Sequence, residues 1–293
     1  MNKKKKLRII IVGVVIPFLL IILTVTSIYT HYNLVVVEHS SIYFNALNNG
    51  VTEVNATWLI AKNYKKYFHS TYGEKPSLEK ILTQPIKDFS ESFWEILCVI
   101  RAKGTCEDFA YALAKIVEDT THHKTRIVYF EGMDHALVEV FIDGKWWVFD
   151  PTYTTPKKPI PINDYATQMD RLKLSRYVAR ILMVDNENRT DLTKEHGFKV
   201  STLTVKAIYD PTAYPFDDAP LEEGEVTVYA PENFYDPLVA KGFTNASGVY
   251  SVTLNGDKDY IVFVRGKGGV GVAYQHLPPE SYVVLEVRVH KEL

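Results

Sequence analysis

His135-Ala136-Leu137-Val138-Glu139-Val140-Phe141-Ile142-Asp143-Gly144-Lys145-Trp146-Trp147-Val148-Phe149-Asp150 decides the reading of this chain. Two β-prone runs flank Asp143-Gly144, a dipeptide that supplies the two positive-φ positions of a tight hairpin. A two-residue turn pairs Ile142 with Lys145. His135, Leu137, Glu139, Phe141, Trp146, Val148 and Asp150 then share one face. The other face holds Ala136, Val138, Val140, Ile142, Trp147 and Phe149, all apolar. The expectation is one core face and one face that presents an imidazole with a diagonal carboxylate neighbour, His135 with Asp150.

Upstream, Gly104-Thr105-Cys106-Glu107-Asp108-Phe109-Ala110 opens a helix. Thr105 is the N-cap and Asp108 completes a T-x-x-D capping box. Phe109, Ala112, Leu113, Ile116 and Val117 recur at helical spacing as a buried stripe. Cys106 therefore sits in the first turn, where unpaired backbone N–H groups and the helix dipole favour thiolate, while Glu107 and Asp108 oppose it. A thiol, an imidazole and an orienting carboxylate form a nucleophile for acyl transfer, and the Cys106 N–H is placed to face a developing oxyanion.

At these residues, together with Asp143 to Thr152, the sequence resembles the transglutaminase-like superfamily, cysteine enzymes of papain-like organisation. The resemblance implies an α+β domain with N-terminal helices, a cysteine at a helix start and an antiparallel sheet. It also implies that Cys106 is the nucleophile, His135 the base and Asp150 its orienter. Leu137 departs from the pattern, since an aromatic residue is frequent there. Gln84 and Trp94 are upstream candidates for the side-chain oxyanion donor, and Trp146 for the substrate groove. No metal or organic cofactor is implied. The competing reading of Cys106 is a disulfide with Cys98, the only other cysteine. His122-His123 lacks metal-ligand spacing.

Around this domain the sequence predicts helices over Thr52–Tyr72 and from Asp88 or Ser90 to Gly104, and a strand at Arg126–Phe130. A short helical piece lies between Pro76 and Pro85. Pro151, Pro156, Pro159 and Pro161 make a rigid loop. Tyr165–Val184 reads as largely helical or ending in a strand, and Asp185–Gly197 as a polar boundary. Beyond it, Val200–Tyr209, Glu225–Ala230, Val249–Leu254, Tyr260–Arg265, Val270–Gln275 and Tyr282–His290 are short alternating runs that predict an all-β sandwich. This tail loosely resembles prealbumin-like or carboxypeptidase-regulatory modules. Glycine-rich 266–271 lies between strands and reads as a loop.

The N-terminus is different in kind. Ile9 to Ile28 carries no charge and is long enough to cross a bilayer. Lys3, Lys4, Lys5, Lys6 and Arg8 precede it and favour a cytoplasmic N-terminus. A cleaved signal peptide is the alternative. The 293 residues hold 33 basic and 35 acidic side chains; with those five basic residues set aside the rest carries a net −7, and a nucleic-acid footprint is absent. Three N-x-[ST] sequons, at Asn55, Asn188 and Asn245, are compatible with export.

The expected organisation is a basic tip and anchor (1–29), a stalk (30–50), a transglutaminase-like domain (51–197) and a β-sandwich (198–293). The expected function is thiol-dependent acyl transfer on an amide of a protein, peptide or envelope polymer, at the outer face of the cell membrane. The rival is a non-catalytic surface module that uses the same scaffold for binding or spacing.

Overall fold

The computed structural model describes residues 15–71, 90–133, 135–150, 158–185, 188–211, 218–233 and 237–291. The chain divides into two compact units. One comprises residues 1–126, 137–145 and 149–159, and the other residues 127–136, 146–148 and 160–293.

The first unit is built on helices. α1 (Ile16–Asn48) starts as an apolar rod, with Phe18, Leu19, Leu20, Ile21 and Leu23 exposed. By length and composition it could cross a membrane. Its second half differs from the expected stalk. Tyr32, His39, Tyr43 and Ala46 form a stripe on one face and are buried. The Tyr32 hydroxyl donates to Asp119, and that of Tyr43 to Glu53 at 3.0 Å. Residues 30–48 are thus an integral helix of the unit. Residues 1–14, with the basic tip, lie outside the described residues.

α2 (Glu53–Tyr67) buries Trp58, Ile60, Ala61 and Tyr64. Tyr64 stacks near Phe109 and donates its hydroxyl to the carbonyls of Cys98 (3.1 Å) and Val99 (3.2 Å). Burial raises its pKa well above the ordinary phenol value. The helix stops at Tyr67, short of Tyr72. The chain turns there into β1 (His69–Ser70), which runs parallel to β2 (Lys103–Gly104). His69 N–H donates to Ala102 C=O at 2.7 Å, and Thr71 N–H to Gly104 C=O at 2.9 Å. Between them, α3 (Glu91–Arg101) is capped by Ser90, whose Oγ accepts the Phe93 N–H, and it ends at Ala102 in the left-handed region. The helical piece between Pro76 and Pro85 lies outside the described residues, as do Asp88 and Asp134.

α4 (Cys106–Thr121) follows, with Phe109, Ala112, Leu113, Ile116 and Val117 all buried as its spacing requires. Then come β3 (Thr125–Glu131), β4 (His135–Ile142) and β5 (Lys145–Phe149). Asp143 (φ 53°) and Gly144 (φ 75°) make the expected two-residue turn. β6 (Ile160–Pro161), β7 (Arg180–Asp185) and β8 (Asn188–Asp191) complete a six-stranded sheet of order β6-β5-β4-β3-β7-β8. β4 lies inside this sheet, and here the one-face expectation fails. His135, Leu137 and Glu139 are buried as fully as Ala136, Val138 and Val140, and only Phe141 is exposed. The polar boundary expected at 185–197 contains β8, paired antiparallel with β7. The expected helix shrinks to α5 (Tyr165–Arg171), with β7 at the end of the predicted stretch.

In the second unit, all six predicted C-terminal runs are strands: β9 (Val200–Asp210), β11 (Glu225–Tyr229), β13 (Val249–Asn255), β14 (Lys258–Gly266), β15 (Gly269–Leu277) and β16 (Tyr282–Lys291). β10 (Ala219–Pro220) and β12 (Leu238–Phe243) are additional. The sheet order is β10-β9-β16-β15-β14-β11-β12, with β13 also on β9. β15 and β16 pair only at Gly269↔Lys291 and Val270↔His290 and then part. Strands on either side of that corner bury one core, with Leu203, Val205, Val252 and Val287 from one group and Val226, Tyr260, Val262 and Val264 from the other. Residues 266–269 form a tight β14–β15 turn, as the loop reading expected.

The division near residue 197 is not a break in packing. Asn255 is buried; its Nδ2 donates to Val178 C=O (2.8 Å) and its N–H to Ala179 C=O (2.9 Å). Arg180 donates to Val239 C=O at 2.9 Å. These bonds tie residues 178–180 to the C-terminal strands, so residues 160–197 cluster with them.

Candidate active site

Cys106 is the first residue of α4, a partly exposed thiol that is not in a disulfide. Asp108 organises its turn. Its Oδ2 accepts the Thr105 N–H at 2.7 Å and the Thr105 hydroxyl at 3.1 Å. Gly104 is required by the same carboxylate. A Cβ there would lie 2.2 Å from Asp108 Oδ2, and the backbone φ of +155° is one that L side chains rarely adopt. The G-T-C-E-D sequence is therefore one local device: glycine makes room for Asp108, Asp108 holds Thr105, and the turn fixes where the thiol begins.

Cys98 is fully buried and directs its thiol toward Asp108 Oδ1 at 3.9 Å. There is no Cys98–Cys106 bridge, and Cys98 behaves as a core residue of α3.

His135 begins β4, is buried, and lies 5.6 Å from the Phe130 ring, centroid to centroid. Asp150 directly follows β5 and is 2% exposed. Cys106 and Asp150 fall in the first unit and His135 in the second. Trp146 is half-buried on β5. Trp94 is buried on α3, its indole N–H has no hydrogen-bond partner among the described residues, and the Arg101 guanidinium lies 5.6 Å from its ring. Gln84 and Thr152 lie outside the described residues.

Glu139, on the same strand face as His135, is fully buried and accepts from Arg126 Nε at 2.6 Å. The period-two pattern puts Glu139 on the His135 face of β4 but does not reveal Arg126 as its partner. The signal was the β3–β4 register: Phe141 N–H donates to Lys124 C=O, and in that same alignment Arg126 faces Glu139 and Phe130 faces His135. Among the described residues, no group of three or more His, Cys, Asp or Glu could hold a metal ion. His123 Nε2 lies 3.1 Å from Glu53.

Comparison with known proteins gives three findings. A family model described as a transglutaminase-like domain matches residues 42–182. An uncharacterized protein of Archaeoglobus fulgidus is 33% identical over 73 residues, covering 25% of this chain and 79% of that protein. Solved structures resemble it only slightly. A Rad4–Rad23 complex bound to a 6-4 photoproduct lesion has a TM-score of 0.34 at 10% identity, over 48% of this chain and 36% of that one. The shaft pilin SpaA of Lactobacillus rhamnosus GG has a TM-score of 0.24 at 16% identity, over 33% of this chain and half of the pilin. Likenesses this slight do not bear on function.

Proposed function

We propose that this chain, which belongs to one family with the archaeal protein and carries a transglutaminase-like domain at residues 42–182, is a membrane-anchored thiol enzyme acting on amide bonds. The observation that carries the reading is Cys106: a partly exposed thiol, not in a disulfide, opening a capped helix inside that domain. In the proposed reaction the Cys106 sulfur attacks the amide carbonyl carbon, and His135 takes the thiol proton. The tetrahedral intermediate collapses as His135 protonates the leaving amine, which leaves a thioester. Water or a second amine then attacks that thioester and restores the thiol. Asp150 holds the imidazole in the tautomer that accepts from the thiol. The Cys106 N–H and the Trp94 indole N–H, which has no partner among the described residues, are the candidate oxyanion donors, and Trp146 the candidate substrate contact.

The substrate class is a protein, peptide or envelope polymer. Anchoring rests on α1, a helix long and apolar enough by length and composition to cross a membrane, together with the uncharged sequence from Ile9 to Ile28; the basic tip before it favours a cytoplasmic end, with the domains outside.

The test is alkylation of the full chain by iodoacetamide, followed residue by residue, with buried Cys98 as internal reference. Cys106 should react faster than an ordinary thiol. His135→Ala should slow it about tenfold or more, with Asp150→Asn intermediate. Equal, slow labelling of Cys106 in all three proteins would overturn the enzyme reading and favour the binding or spacer module.

A further inference from the structure

The two strand groups of the C-terminal core differ in the chemistry of their outer faces. On β9, β13 and β16 the outward positions include Thr202, Thr204, Lys206, Ser251 and Glu286, with Thr204 hydrogen-bonded to Ser251 at 2.9 Å. That is the polar outside expected of a sheet with one solvated face, and Tyr282 and Val284 are its apolar exceptions. On β15, β14, β11 and β12 the outward positions are mostly apolar. Tyr260, Val262 and Val264 of β14 join the core, so Ile261 and Phe263 point out. The register places Ile261 in one row with Tyr274, Tyr229 and Leu238, and Phe263 beside Val272 in the next. The Tyr229 and Phe263 rings meet edge to face at 5.4 Å, while Val272 and Tyr274 are 57% and 61% exposed. A contiguous apolar face of this kind marks an interaction surface.

The two ends of this face carry opposite charge. At one end Asp259 accepts from Tyr274 and lies 2.9 Å from His276, Asp257 is 84% exposed, and the Glu232 charge reaches Tyr274. At the other end stand Arg265 and Lys241, with Glu225 bound to Lys241 at 2.5 Å. We propose that this face packs against the same face of a second copy of the chain, sheet on sheet, about a two-fold axis that lies in the interface and crosses the strands. That axis sets the strands of the two copies antiparallel and brings the Asp257 end of each onto the Arg265 end of the other. A two-fold along the strands would instead appose like charges. The apolar rows supply the burial and the ends fix the direction. A surface of one sign, such as an anionic bilayer, would be repelled at one end, whereas a second copy satisfies both. None of these residues belongs to the proposed thiol site, so the pairing stands apart from that reading.

The experiment is sedimentation equilibrium of the full chain in detergent micelles over a wide range of concentration. Wild type should pass from one chain to two. Val272→Arg sets a charge within the apolar rows and should weaken pairing about tenfold or more. Asp257→Lys and Arg265→Glu should each weaken it about threefold, as rim charges do. The two together should restore it, because the reversed ends match again. Tyr282→Arg, at an equally exposed aromatic on the other strand group, should leave pairing unchanged. All four positions are exposed, so the substitutions leave the core intact. A chain that stays single at every concentration, even if a different protein binds this face, would overturn the proposal. So would a dimer unmoved by Val272→Arg, one weakened as much by Tyr282→Arg, or a double reversal that fails to recover.

Discussion

Two buried charges, one in each unit, are handled in opposite ways. Glu139 is fully buried on β4 and meets the Arg126 guanidinium at 2.6 Å. Lys258 is buried almost as completely on β14, its ammonium has no hydrogen-bond partner among the described residues, and only the more remote charge of Glu232 acts on it. In the first case the fold supplies the counter-ion from the adjacent strand. In the second, burial outweighs the pull of Glu232, so the amine gives up its proton more readily than a lysine in water. A paired buried charge stays charged as part of the architecture, whereas one without a close partner is eased by losing its charge.

The sharpest way to break this comparison is to strip Glu139 of its partner. Arg126→Met should destabilise the chain by about 3 kcal/mol, because it removes the guanidinium that the buried Glu139 carboxylate meets at 2.6 Å. Arg126→Met with Glu139→Leu should recover most of that loss. Denaturant unfolding of the two variants measures it, and a small effect of the single change would show that Glu139 has another partner.

The G-T-C-E-D turn comes next in size. Gly104→Ala should cost about 2 kcal/mol, since the new methyl collides with Asp108 and the backbone angle suits only glycine. Thermal unfolding gives the cost, and the alkylation rate of Cys106 should change with it.

The two units should also answer pH with opposite signs. Lys258 binds its proton less readily in the fold than in the unfolded chain, whose ordinary value is 10.5. Stability should therefore rise with pH from about 8 to 10.5, by about 3 kcal/mol, and this rise should vanish in Lys258→Met. In the first unit, half-buried Glu95 is pushed up to about 7 by burial and by the charge of Glu118. The folded state holds that proton longer than the unfolded chain does. Stability should then fall as pH rises from 4.5 to 7. Solvent screening at a half-exposed site limits this smallest effect to about 1 kcal/mol, and Glu95→Gln should flatten it. Guanidinium titrations at stepped pH read both slopes.

The sequence by itself determined the local elements with strong patterns. The Asp143-Gly144 hairpin, the Thr105-capped start of α4 and the six alternating C-terminal runs were legible because turn chemistry, capping and a two- or 3.6-residue period act over a few residues. β12 was missed because Leu238-Val239-Ala240-Lys241-Gly242-Phe243 has no clean alternation. What only the tertiary structure decided was where those elements meet distant parts of the chain. It docked residues 30–48 as an integral helix, buried both faces of β4, and tied residues 178–180 to Asn255 and Val239. It also gave Glu139 a close counter-ion and left the Lys258 ammonium without a hydrogen-bond partner among the described residues. The reason is physical: a residue's period fixes which way it points, but whether it meets solvent, an opposite charge or an apolar core depends on segments far away in sequence.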